Sequence, residues 1–141
     1  MADPTSIARE YLEAWNRRDF DKMRSFFHVD YSYTGGDGQT NKGADAGMAP
    51  ALMFASALPD GKIDIKSIHA TGDVAIVEFT GRGTHQGDLM GIAPTGRKIE
   101  MPVCDVLEIR DGKILAEREY MDMMHMMQQL GVVEAPAGAT A

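Results

Sequence analysis

The spacing of apolar residues changes partway along this chain. Up to about residue 58 they recur at helical intervals; from residue 62 they alternate with polar ones. Ile7, Tyr11, Ala14 and Trp15 fall on one helical face, and Thr5 or Ser6 is placed to cap a helix running to about residue 17. Asp19 opens a short second helix carrying Phe20, Met23, Phe26 and Phe27. Residues 28–33 read as a short extended piece, followed by a glycine-rich loop over 34–43. A third helix is expected over 44–58, where Pro50 should start a new turn or kink it. Pro59, Asp60 and Gly61 form a turn.

Beyond that turn everything reads as sheet. Strands are expected over 62–69, 74–86, 97–110 and 113–122, separated by a tight turn at 71–73, a loop at 91–96 and a hairpin turn at Asp111-Gly112. A last helix covers about 123–130 and stops at Gly131. Helices followed by a meander of long strands imply an α+β fold, with a curved antiparallel sheet wrapped around the N-terminal helices. Such a cone has an open mouth, and pockets of that kind are apolar with a few placed polar groups. Residues 1–134 form a single domain, and the small, polar 135–141 is expected to be a disordered tail.

Composition narrows the partners. The net charge of −7 argues against nucleic acid, which demands a basic face. No apolar run approaches the roughly 20 residues of a membrane span, and residues 1–6 lack the basic start and apolar run of a secretory signal. The one cysteine, Cys104, excludes an internal disulfide and fits a reducing cytoplasm. Of the 11 methionines, five crowd 121–127. Core or dimer packing is the plain reading; a plastic ligand pocket is the other. No Cys accompanies the run and helical spacing scatters its sulfurs, so no metal is expected there.

One position breaks the alternation of the third strand. Ile99, Met101, Val103, Leu107 and Ile109 share a face with Asp105, while Lys98, Glu100, Glu108 and Arg110 take the other. A carboxylate on an apolar face must be paired, neutralised or lining a cavity. In the strand before it, His85 shares parity with Phe79 and is a candidate acid or base near neutral pH. His28, His69 and His125 have no such placement. The final hairpin leaves two registers open. A simple two-residue turn sets Asp105 opposite Arg118, with Tyr120 and Asp122 at a pocket rim. A bulge shifts the pairing by one, turns Glu117 and Glu119 inward and brings Glu119 near Asp105. Two carboxyls close together in an apolar cone then split into an acid and a base.

Four stretches carry a likeness to a known family: Ala14-Trp15-Asn16, residues 27–31, residues 85–91 leading into 94–97, and residues 111–114 through 129–131. On these the chain resembles the SnoaL-like polyketide cyclases, a branch of the nuclear-transport-factor-2-like cone superfamily. The resemblance implies intramolecular aldol ring closure of a polyketide ester, with no metal and no organic cofactor. A pocket carboxylate would remove a proton beside a carbonyl and later return one to the new alkoxide. By this likeness the family's catalytic Asp falls on Glu119, a pocket His on Asp105, a ring-contacting aromatic on Trp15 and a strand His on His85. Two of these are departures: Glu for Asp lengthens the reach by roughly an ångström, and Asp for His replaces a donor by an acid.

Glu119 and Asp105 are therefore the candidate catalytic pair, with Trp15, His85, Tyr120, Asp122 and Phe54 as pocket residues for a small, apolar, carbonyl-bearing molecule. The competing readings are a non-catalytic binding module and another carboxylate hydrolase, isomerase or dehydratase on the same cone. Val74, Ile76 and Val106 give the outer face of the sheet enough apolar character that a sheet-to-sheet homodimer is expected.

Overall fold

The computed structural model describes residues 3–134; the tail expected at 135–141 lies outside the described residues. Helix α1 spans Pro4–Asn16, and its cap is Asp3, whose carboxylate accepts from the Ser6 amide. The cap thus lies ahead of Thr5 and Ser6, because Pro4, with its fixed φ and no N–H to satisfy, suits the first helical turn. Helix α2 covers Phe20–Ser25 and is capped by Asp19. Strand β1 follows at Phe27–Thr34, and the glycine-rich loop contains a three-residue strand, β2, Thr40–Lys42, which folds back on it. Helix α3 runs Ala44–Ala57 with Pro50 inside it. The remaining elements are β3 Lys62–Thr71, β4 Val74–Thr84, β5 Lys98–Arg110, β6 Lys113–Met121 and α4 Met123–Gln129.

The six strands form one sheet in the order β2-β1-β6-β5-β4-β3. The α+β cone architecture holds, with one difference from an all-antiparallel meander. β1 runs parallel to β6, so the sheet is mixed. A parallel neighbour needs a long crossover, and helix α3 together with the β3–β5 meander supplies it. Helix α1 lies against β3 and β4, α3 against β1, and α4 against β5. The core fills the space between: Tyr11 and Trp15 of α1, Phe27 and Tyr31 of β1, Ala75, Val77 and Phe79 of β4, and Ile99, Met101, Val103 and Leu107 of β5 are all buried. No described helix is long and apolar enough to cross a membrane.

The β5–β6 hairpin decides what faces that core. Arg110 pairs with Lys113 and Ile109 with Ile114, as a two-residue turn requires. Glu108 then pairs with Ala116, leaving Leu115 as an extra residue on β6. From this bulge onward Leu107 faces Glu117, Asp105 faces Glu119, and Val106 faces Arg118. The simple register that set Asp105 opposite Arg118 does not form. Arg118 lies on the outer face and pairs with Glu108.

Candidate active site

The bulge brings three carboxyl groups to the inner face of adjoining strands. Asp105, Glu117 and Glu119 each offer an oxygen within 4.8 Å of the others. β1 and α1 then supply tyrosines to them. The Tyr11 hydroxyl donates to Glu117 Oε1 at 2.8 Å, and Tyr31 donates to the same oxygen at 2.7 Å. Tyr33, two residues further along β1, donates to Glu119 Oε1 at 2.9 Å. Parity explains the pairing, because Tyr31 and Tyr33 share a face of β1 beside β6.

Asp105 is fully buried, and neither of its oxygens meets a hydrogen-bond donor among the described residues. What surrounds it are two other carboxyls. A charged Asp105 would be uncompensated there, whereas a protonated one can donate to Glu119 or Glu117. Burial accordingly holds its pKa well above the usual carboxylate range, and the charges of Glu119 and Glu117 add to the effect. Burial, with the charge of Glu119, pushes Glu117 up to about 7, against the tyrosine hydrogen bonds that favour its ionised form. Glu119 is raised by burial too, opposed by hydrogen bonds from Asp105 and Tyr33. Of the three it has the weakest repulsion and the most exposure. The tyrosines are pushed well above 10, first by burial and then by the carboxylate each one faces, so they remain donors.

The three carboxyls, with Tyr11 and Tyr33, line a cavity whose space, counted together with the open solvent at its mouth, is about 760 Å³. Its walls are Trp15 and Leu12 of α1, Phe54 and Ala51 of α3, Phe79 of β4 and Met101 and Val103 of β5. Trp15 is fixed by its indole N–H, which donates to the Ala51 carbonyl at 2.9 Å, tying α1 to α3. Lys62 and Arg82 are the cations in the lining, and Asp64 holds the Arg82 guanidinium.

Glu119, Asp105, Trp15 and Phe54, expected from sequence to act together, all line this cavity. The other three do not. Tyr120 sits on the opposite face of β6, 57% exposed, because the bulge that turns Glu119 in turns Tyr120 out. Asp122 is the cap of α4, accepting from the His125 amide. His85 is buried but lies outside the lining; its Nδ1 accepts from the Thr95 amide and meets the Thr95 hydroxyl, fastening the loop before β5. Of the methionine run, Met121 and Met126 line the cavity while Met124 is exposed. Sequence reasoning turned Glu117 inward in the bulged register but gave it no role, and it left out the tyrosines. The signal for Glu117 was the bulged register, and that for Tyr31 and Tyr33 was their shared parity.

Asp105, Glu117 and Glu119 lie close enough together for one oxygen of each to meet a cation, within a cavity whose other walls are mostly apolar.

Known proteins share this architecture and sequence. The chain is 25% identical over 134 residues to the aklanonic acid methyl ester cyclase DnrD of Streptomyces peucetius, covering 93% of this chain and 92% of that one. AclR of Streptomyces galilaeus, a candidate hydroxylase, superposes with a TM-score of 0.85 at 25% identity, over 96% of this chain and 85% of its own. IdmH of Streptomyces antibioticus, a candidate polyketide cyclase, does so with a TM-score of 0.81 at 25% identity, over 92% and 99%. The family model for SnoaL-like polyketide cyclases matches residues 5–130, from the first turn of α1 to the end of α4, and the chain belongs to that family.

Proposed function

We propose that this protein is an acid/base enzyme that closes a ring by an intramolecular aldol reaction on an apolar, carbonyl-bearing substrate, without a cofactor. The observation that carries the reading is Asp105, a buried acid with no donor, set beside two further carboxyls in the lining of a largely apolar cavity. Glu119, the most exposed of the three, takes a proton from the carbon next to a carbonyl, leaving an enolate. The enolate carbon attacks a second carbonyl of the same molecule, forming the carbon–carbon bond. The resulting alkoxide recovers the proton from Glu119. Protonated Asp105 donates a hydrogen bond that favours the ionised form of Glu119, and Tyr33 fixes its orientation. The apolar walls exclude the water that would otherwise quench the enolate. Membership of a cyclase family and the likeness to a methyl ester cyclase support the reaction class.

The proton-abstraction half can be tested without the natural substrate. An aryl ketone in D2O should exchange its α-protons in the presence of the protein, followed by NMR. Glu119→Gln should slow that exchange by about a hundredfold or more with the fold intact by circular dichroism. Exchange at the wild-type rate in the variant would leave a binding module in place of an enzyme.

The assembly belongs to the same proposal. Ile76 and Val106 are paired neighbours on the outer face, next to the Cys104–Tyr120 pair, and Ile76 and Tyr120 are exposed. We propose that this patch is covered by a second copy of the chain.

A further inference from the structure

The acidic end of the cavity has a property that proton transfer to a neutral ketone does not use. Asp105, Glu117 and Glu119 can carry up to three negative charges, and the groups packed around them bring no positive one. α1 presents Tyr11, β1 presents Tyr31 and Tyr33, and β5 and β6 present the carboxyls themselves. α3 and α4 line the cavity with Pro50, Phe54 and Met126, which are uncharged. The lining cations, Lys62 of β3 and Arg82 of β4, are half-exposed, and both lie beside Asp64. Both oxygens of Asp105 are buried and without a donor, and the residue lines the cavity. The cavity walls include the rings of Trp15, Phe54 and Phe79; Arg18 already lies 4.1 Å over the Trp15 ring, which leaves Phe54 and Phe79 as the aromatic faces to attract a further cation.

We propose that this cavity takes a substrate bearing an organic ammonium group, with the ammonium against Asp105 and Glu117 and the apolar body along the aromatic walls. The inference rests on the reading of the cavity as the ligand site and narrows the substrate class within it. Binding requires Glu117 to ionise while Asp105 keeps its proton toward Glu119, so the incoming cation displaces one proton to solvent. Affinity therefore rises with pH while the cluster is protonated and levels off above about 7, where Glu117 has ionised. An apolar, aromatic-walled cavity suits a large, weakly hydrated organic cation better than a hard divalent ion, which keeps a shell of water.

The test uses benzyltrimethylammonium, a permanent cation that cannot itself donate a proton, and its uncharged carbon isostere neopentylbenzene. Calorimetric titration of the whole protein should show the cation binding about tenfold or more tighter than the isostere at pH 8. Its Kd should weaken by about tenfold per unit as pH falls below 7. The Asp105→Asn/Glu117→Gln double variant should lose both the preference and the pH dependence while still binding neopentylbenzene, which shows its cavity intact. Equal binding of the two probes, a pH-independent Kd, or displacement of the cation by millimolar magnesium would overturn the inference; a double variant that binds neither probe and is unfolded is replaced by the single Glu117→Gln, which should lose the same pH slope. Loss of ketone exchange in Glu119→Gln without any ammonium preference sinks this inference alone. Ammonium preference with exchange retained in that variant sinks the proton-transfer reading alone.

Discussion

A single side chain, Asp105, shows how burial turns an ordinary acid into a proton store. Its pKa, and those of Glu117 and Glu119, are raised in the folded protein. For an acid whose folded pKa lies above its unfolded one, the folded state holds the extra proton, so stability falls as pH climbs from the unfolded value through the folded one. For Glu117 that window runs from 4.5 to about 7. Asn at 105 keeps the shape, donates permanently and does not titrate. Asp105→Asn is therefore expected to melt higher than the wild type at pH 8, by an amount equivalent to about 1–3 kcal/mol, while keeping ketone exchange, since the donor to Glu119 is retained. A lower melting temperature at that pH would contradict the account. Tyr31→Phe should act the other way on Glu117. It removes one of two donors to the carboxylate, so the Glu117 pKa should rise further above 7, as carbon-detected NMR titration would show. Asp105 was legible in the sequence because one acid in a run of apolar odd positions stands out. The tasks of Tyr11 and Tyr31 were not, since an amphipathic face accommodates a tyrosine whether or not its hydroxyl has a task.

At the scale of elements, the site depends on one extra residue in β6 and one missing side chain in α3. Leu115 sets the face that β6 presents, and sequence left both registers open because Glu117, Arg118, Glu119 and Tyr120 suit either face. The structure chose the bulge, and with it Glu119 over Arg118 as the partner of Asp105. Apart from β2, whose sequence reads as loop, the strands and helices themselves were readable to within a few residues from period alone. The parallel β1–β6 pairing was not, because residues 84 to 87 apart must meet, and nothing local in an eight-residue strand names its partner. Gly47 is where α3 comes closest to β1. A Cβ there would lie 2.7 Å from Tyr31 Cε1 and 2.8 Å from Phe27 Cζ. Gly47→Ala should push the Tyr31 ring off Glu117, costing about 1–3 kcal/mol despite the better helix propensity of alanine. Chemical denaturation reads the loss, and an upward shift of the Glu117 titration ties it to the site.

Across the whole molecule, the sheet separates two tasks. Its inner face holds the acids and its outer face holds Ile76, Val106 and Tyr120. A charge on the outer face should therefore change assembly and leave the cavity alone. Ile76→Glu is expected to sediment as a monomer where the wild type sediments as a dimer, with ketone exchange retained by each protomer; a wild type of monomer mass in sedimentation ends the dimer proposal. The cone itself was readable from the switch between helical and alternating spacing, because that pattern spans the whole chain. The tyrosine contacts have a consequence for how the protein reaches its native state. Tyr11 and Glu117 are 106 positions apart, and Tyr31 and Glu117 are 86 apart. The acids cannot acquire their altered titration until both ends of the chain have met. Refolding in weak buffer near pH 6 should thus draw hydrogen ions from the medium, and an indicator dye would turn alkaline only as the last long-range contacts close.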